Sequence, residues 1–456
     1  MMKEASLKRA ALVVAAALFM QMLDSTIVTT ALPQIATDLS VNQSSASLLV
    51  SVYMLFAAIF IPLSGWMAKK MSRKTLFLLA VMLFTLSSVA AGLVNNLAYI
   101  LVMRAIQGMA GAMMVPVGKL IILENVAAKN LLQILSFLVW PALIAPAIAP
   151  LLGGYVISAF SWHWIFFLNL PIGLGILLAG YLLIHDQNDR EEAPFDLVGF
   201  LLVALAAGLI LVAAEVLSRG LPLLAVGSAI LTLGIFFAFL AFRHLQKVEQ
   251  PLFALDALKI KSFRIYQTGG SIFWMTIGAL PYLLTLLLQV PFHWSAIEAG
   301  TYVIFIFLGN LAIKPFTTPI IRRTGYKYAL VIALGLATMT TFLMAAFTIE
   351  TAKPWIAFVA FVSGVGRSLA LTSYNSLAFA ELSKKEKNAA NTLQSVMQML
   401  SQAFGVGFVA TLVALFSKMF VTSLAYQVTL FLVALISLYP LLEVLTLPKN
   451  VGEKTL

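Results

Sequence analysis

The sequence has no cysteine, which excludes disulfides and thiolate metal sites outright. It has four histidines, His163, His185, His244 and His293, too scattered for metal-ligand spacing. Charge is scarce: Asp, Glu, Lys and Arg make up 10% of the 456 residues, while apolar types make up 61%. Acids are scarcer than bases, 18 against 29, leaving a formal net charge of +11. No G-x-x-x-x-G-K-[ST] loop is present to cradle a nucleotide, and no nucleophile–base constellation suggests an enzyme. What fills the chain is apolar surface, with a mean hydropathy of +1.00. No soluble domain buries that much, so the composition describes a polytopic membrane protein.

Apolar segments of ~20 residues, each long enough to cross a bilayer, recur from end to end. They fall at 9–31, 45–67, 75–94, 98–120, 131–155, 164–184, 196–217, 222–242, 266–289, 298–318, 328–348, 355–380, 389–416 and 425–447, fourteen in all. The first is preceded by Lys3, Lys8 and Arg9 in the manner of a secretory signal. It is too long, contains Asp24 and lacks a small-residue cleavage site, so it reads as an uncleaved span. With both termini placed in the cytoplasm, 23 of the 29 Lys and Arg lie in cytoplasmic loops. Only Arg219, Lys353 and Lys418 lie outside, and Arg104, Lys314 and Arg367 remain within spans. That asymmetry satisfies the positive-inside rule, so the basic balance reflects topology rather than a nucleic-acid partner. Two plain spans, 196–217 and 222–242, separate the rest into sixes. Glu215 is their one clear intramembrane charge, at i,i+4 from Arg219, which suits an interfacial ion pair. The expected organisation is a six-helix bundle at 1–190, a peripheral two-helix insertion at 191–250 and a second six-helix bundle at 251–456.

The first span carries the most informative residue. Asp24 lies about 14 residues into it, roughly 20 Å at ~1.5 Å per residue. A carboxylate at that depth costs at least ~2.5–3.5 kcal/mol and should face protein or water. It is either a structural carboxylate tied to a neighbouring helix or a group that loads and unloads a proton. Arg104 is its natural partner, because each lies seven residues, ~10 Å, from the outer end of its span. In the second half, Asn391, Gln394, Gln398 and Gln402 form one helical stripe, and Asn310 and Lys314 are at i,i+4. Arg367 is followed by Thr372, Tyr374 and Asn375 on the same span. Such stripes either glue helices together or line a water-filled cavity; their two cations favour the cavity. Candidate cavity residues are therefore Gln21, Gln107, Asn310, Lys314, Arg367, Tyr374, Asn375, Asn391, Gln394 and Gln398.

The arrangement and its motifs resemble the fourteen-span drug:proton antiporters of the major facilitator superfamily, and most of all its MdtD-type branch. Residues 23–33, LDSTIVTTALP, are similar to that family's first-span signature L-D-x-T-I-V-N-x-A-L-P, with Thr29 where Asn is usual. Arg104, Gln107 and Gly108 match the fourth-span R-x-x-Q-G. Residues 161–173, SWHWIFFLNLPIG, resemble S-W-R-W-I-F-x-I-N-x-P-x-G, with His163 for Arg. The loop pattern G-x-x-x-D-[RK]-x-G-R-[RK] appears as GWMAKKMSRK at 65–74, keeping Gly65, Arg73 and Lys74. Lys69 replaces the acid and Ser72 the turn glycine. The antiport-associated G-x-x-x-G-P-x-x-G-G becomes APAIAPLLGG at 145–154, keeping Pro150, Gly153 and Gly154. Residues 322–327, RRTGYK, echo the basic loop in the second half, as an internal repeat would.

The resemblance implies an all-α major facilitator fold of two six-helix bundles plus two extra helices. It implies a proton-coupled antiporter that exports amphipathic molecules or drugs by alternating access, with Asp24 and Arg104 coupling the proton. Because the intramembrane cations outnumber the acids, an exporter or importer of an anionic or zwitterionic metabolite or siderophore is the alternative. Expected partners are a lipid bilayer, a small-molecule substrate and protons, with no cofactor, metal or nucleic acid and a monomeric chain. The expected location is a bacterial inner membrane.

Overall fold

The computed structural model describes residues 4–123, 131–184, 194–218, 223–249, 251–253, 255–382 and 384–452. These residues are helical almost throughout. The chain divides into two compact units, Met1–Phe200 and Leu201–Leu456.

The first unit contains α1 (Glu4–Asp38), α2 (Gln43–Lys70), α3 (Arg73–Ala91), α4 (Leu97–Leu123), α5 (Leu131–Ala159), α6 (Trp164–Phe167) and α7 (Asn169–Leu183). Short polar turns separate them, and caps fix where they begin. Asn42 accepts the Ser45 N–H at 2.7 Å to start α2, and Ser72 accepts the Thr75 N–H at 3.3 Å to start α3. Ser72 has φ −54°, so no glycine is needed there, and a serine in place of the usual glycine serves as an N-cap. The anticipated loop after the second span is correspondingly shorter than expected, since α2 continues through Gly65 to Lys70. Val14, Met20, Phe77, Phe84 and Met114 are wholly buried where α1, α3 and α4 meet. Gly108, in the middle of α4, lets it approach α2 closely. A Cβ there would press into the Tyr53 carbonyl and the Ala57 N–H, so the two helices touch backbone to backbone.

The second unit contains most of α8 (Leu197–Ser218), then α9 (Leu224–Leu245), α10 (Lys261–Gln289), α11 (Ala296–Ala345), α12 (Lys353–Ala380), α13 (Lys384–Phe416), α14 (Thr422–Ile436) and α15 (Leu438–Leu445). Twelve helices among the described residues are long and apolar enough to cross a membrane, counting α11 once and leaving out α5. The 50-residue α11 is two spans turned at Gly325, whose φ of +76° and ψ of 163° suit only glycine. Each of the fourteen expected segments thus falls on a helix. Polypeptide 201–245 falls within the second unit. One tie is the Thr411 hydroxyl on α13, which donates to the Ala214 carbonyl on α8 at 3.0 Å. Glu215 is buried at the end of α8. Its expected partner Arg219 lies outside the described residues, as do the side chains of Lys69, Lys384, Lys385 and Lys387.

The sequence repeat has a structural counterpart within each unit. Lys74, at the start of α3, donates to the Tyr181 carbonyl near the end of α7 at 2.8 Å. Lys327, just past Gly325, donates to the Leu445 and Leu447 carbonyls at the end of α15, each at 2.7 Å. In both units a lysine of the basic turn thus closes the carboxyl end of the last helix, where carbonyls lack helical partners and the dipole favours a cation.

Candidate functional site

Asp24 is held by α1 inside the first unit, and its side chain and that of Arg104 have no solvent exposure. One Arg104 Nη1 donates to Asp24 Oδ2 at 2.6 Å and to Gln107 Oε1 at 2.7 Å. Gln107 Nε2 in turn donates to Asp24 Oδ1 at 2.9 Å. The R-x-x-Q spacing explains this: residues three apart on α4 share a face, so both reach one carboxylate on α1. Asn169 Nδ2 donates to the same Oδ1 at 2.7 Å and to Ser88 Oγ at 2.9 Å, and Ser88 donates to the Phe166 carbonyl at 2.9 Å. Arg104 Nε donates to the Leu49 carbonyl at 2.9 Å, and its guanidinium lies 4.3 Å from the centre of the Tyr53 ring. Four helices and the start of α7 therefore converge on a single ion pair.

Three polar atoms beside this pair have no partner among the described residues: Arg104 Nη2, the Tyr53 hydroxyl and Gln21 Oε1. Gln21 and Tyr53 adjoin each other, since a Cβ on Gly111 would meet Gln21 Nε2 at 3.1 Å and the Tyr53 hydroxyl at 3.2 Å. Gln21 thus joins the Asp24 neighbourhood, as a helical turn from it requires. The sequence singled out Gln107 and Gln21. It passed over Asn169, Ser88 and Tyr53, although Asn169 stands in the quoted SWHWIFFLNLPIG stretch. A lone asparagine in so apolar a run was the available signal.

The conserving motif residues of α5 bear on the same helix. Pro150, Gly153 and Gly154 are buried, and a Cβ on Gly153 would meet Ile27 at 2.9 Å and Thr30 at 3.3 Å, both on α1. At the end of α1, Trp162 Nε1 donates to Asp38 Oδ2 at 2.9 Å, and His163 stacks on Trp162 with ring centres 3.6 Å apart. Burial holds the His163 pKa below its ordinary value, with Asp38 opposing the shift.

In the second unit the expected residues separate into three places. Tyr374, Asn375 and Gln394 come together: Gln394 Nε2 donates to Asn375 Oδ1 at 2.8 Å. Around Tyr374 stand two aromatics that periodicity did not select. Tyr266 meets it edge-on with ring centres 6.1 Å apart, and Trp274 Nε1 donates to the Tyr266 hydroxyl at 3.0 Å. The Tyr374 hydroxyl and Gln394 Oε1 are buried without partners among the described residues. Gln398 is half-buried on the same helix, while Asn391 is exposed.

Lys314 occupies a second place. It is half-buried beside half-buried Asn310, and its ammonium donates to the Thr372 hydroxyl at 3.1 Å. Arg367 occupies a third. It donates to the Thr276 carbonyl at 2.9 Å and borders a cavity of about 10 Å³ lined by Thr276, Thr338, Thr341 and Ser437. In this conformation that space admits no more than about one water, and a backbone carbonyl answers the cation. Among the described residues no carboxylate pairs with Lys314 or Arg367.

One acid escaped the sequence reading. Glu443 on α15 accepts from Thr268 Oγ1 at 2.6 Å and from the Gly269 N–H at 2.7 Å, joining α15 to α10. It was legible as the one acid in the run 425–447. Among the described residues no three His, Asp or Glu cluster as a metal site.

Twelve helices of membrane-crossing length among the described residues define a multi-pass membrane protein. The chain belongs to the Major Facilitator Superfamily, whose sequence profile matches residues 14–406 and 266–452. It is 33% identical over 419 residues to the MdtD multidrug resistance protein of Pectobacterium carotovorum subsp. carotovorum (strain PC1), covering 92% of this chain and 90% of that one. Identity to the MdtD protein of Escherichia coli O81 (strain ED1a) is 32% over 417 residues, 90% of this chain and 87% of the relative. Among solved structures, the peptide transporter POT in complex with sulfate aligns with a TM-score of 0.72 at 13% identity, covering 98% and 95% of the two chains. The nucleoside transporter NupG aligns with a TM-score of 0.63 at 14% identity, covering 96% and 98%. At such identities these two show the fold alone.

Proposed function

We propose that this protein is a proton-coupled antiporter that exports small amphipathic molecules from the cytoplasm by alternating access, with Asp24 as the group that takes and releases the proton. The observation that carries the reading is the ion pair at Asp24, sealed from solvent and matched by three side-chain donors. Those donors suit the ionised carboxylate. A proton on Asp24 cancels its charge and leaves Arg104 buried with only neutral acceptors, the Leu49 carbonyl and Gln107 Oε1. Breaking a buried pair from one side costs about 3–5 kcal/mol, enough to drive a change of conformation. The multidrug name of the MdtD relatives supports amphipathic cargo. The residues Tyr266, Trp274, Tyr374 and Gln394 offer it aromatic surface and spare hydrogen-bonding capacity.

The test is transport in proteoliposomes under an imposed pH gradient, using the compound that gives the largest thermal shift of the purified protein. Asp24→Asn should abolish gradient-driven accumulation while leaving exchange of labelled for unlabelled compound intact. Full gradient-driven accumulation in Asp24→Asn would assign coupling to another group. A second reading, an anionic or zwitterionic cargo, is favoured by Lys314, a half-buried cation that meets a hydroxyl and no carboxylate among the described residues.

A further inference from the structure

The second unit contains a pocket of about 400 Å³ apart from the residues considered above. Its walls come from α8 (Val203, Ala206, Ile210), α9 (Ala238, Phe242, Leu245), the linker that follows, α10 and α13 (Leu393, Val396, Leu400). Every lining residue except one is apolar. The exception is Gln267 on α10, only 7% exposed, whose Nε2 and Oε1 both lack a partner among the described residues. An amide left unmatched in so apolar a place is costly unless something enters to meet it.

The surroundings say what enters. α8 and α9 are the least buried of the described candidate spans, with 28% and 17% of their apolar windows covered, so the pocket lies where the chain faces lipid. Bases stand next to its lining residues in the chain. Arg264 is exposed and stands one helical turn before Gln267, Arg243 and Lys247 are exposed beside the lining residues Phe242 and Leu245, and Lys259 follows Leu258. Lys259 is already engaged by Asp256 at 2.7 Å, while Arg243, Lys247 and Arg264 have no carboxylate partner among the described residues. Basic residues at a membrane surface attract anionic headgroups. A pocket of this size lies within the usual ~300–1,000 Å³ of ligand sites.

We propose that this pocket binds one anionic phospholipid, with an acyl chain between α8, α9 and α13, an ester oxygen hydrogen-bonded by Gln267, and the phosphate against Arg243, Lys247 and Arg264. The acyl chain rests on α13, the helix that also carries Gln394 and Gln398, so the lipid braces the helix that presents those amides. The site does not depend on proton coupling at Asp24.

The full-length protein, stripped of lipid in detergent, tests this by native mass spectrometry and thermal unfolding against phosphatidylglycerol, phosphatidylcholine and free palmitate. One equivalent of phosphatidylglycerol should remain bound and raise the unfolding temperature, with phosphatidylcholine and palmitate each about ten-fold weaker. Ala238→Phe, which fills the pocket, should abolish that equivalent. Gln267→Leu keeps the shape and removes the amide. It should weaken binding about ten-fold and raise the unfolding temperature of the lipid-free protein, so the test stands even if Ala238→Phe fails to fold. Equal binding of phosphatidylglycerol by Gln267→Leu, or palmitate binding as tightly as phosphatidylglycerol, would overturn the assignment.

Discussion

The three intramembrane cations have three different fates, and the difference is geometric. Arg104 meets a carboxylate, Arg367 a backbone carbonyl and Lys314 a hydroxyl. A lysine that finds only a hydroxyl keeps most of its capacity for an incoming anion, because two further donors remain on the ammonium. Lys314→Gln should therefore weaken binding of an anionic or zwitterionic cargo by about 10- to 100-fold, as expected for a lost charge-assisted bond of about 1.5–3 kcal/mol. Arg367→Gln should change affinity by less than about two-fold, since its guanidinium is already met by the Thr276 carbonyl and the space it borders in this conformation holds about one water. Calorimetric titration of both variants with the same ligand decides the matter: no loss for Lys314→Gln would remove the anionic reading, and an equal loss for Arg367→Gln would place the ligand's anion at both cations. The sequence alone could rank neither cation above the other, because depth in a span is one-dimensional and the partner lies on another helix. Asp24 and Arg104 were legible because their depths match from opposite chain directions.

At the scale of elements, the basic turns act as clasps. Lys327 grips two carbonyls at the end of α15, and Lys74 grips one near the end of α7, with its ammonium also 5.2 Å from the Tyr181 ring centre. Cations at helix carboxyl ends contribute about 0.3–1 kcal/mol each, and up to ~2 kcal/mol where partly buried. Lys327→Met should lower stability by about 1–2 kcal/mol and Lys74→Met by roughly half as much. Thermal unfolding of the purified variants measures the order, and an equal effect would mean that the second carbonyl contributes nothing. The repeat itself was visible as two short basic strings. What they clasp was not, because the partners are backbone carbonyls 107 and 118 residues away, and backbone has no signature in sequence.

For the whole molecule, the absence of cysteine is an experimental convenience. Single cysteines can be introduced at will, and the distribution of bases makes their accessibility predictable. Gln246→Cys and Lys449→Cys should react with a membrane-impermeant maleimide only after the cytoplasmic face is opened. Ser40→Cys and Thr351→Cys should react in intact cells. Labelling of Ser40→Cys and Gln246→Cys from the same face would contradict the topology. The amino-acid sequence by itself determined the class, the spans and one central pair. Bilayer thickness, the cost of buried charge and the sidedness of Lys and Arg are all one-dimensional constraints. Tertiary structure decided what those constraints leave open. It brought Asn169 and Ser88 to Asp24 and turned Arg367 onto a carbonyl. It tied α8 to α13 through the Thr411 hydroxyl and left Gln267 facing an apolar pocket. Which face of one helix meets which face of another depends on packing among segments far apart in the chain, and nearly uniform apolar spans carry little record of it.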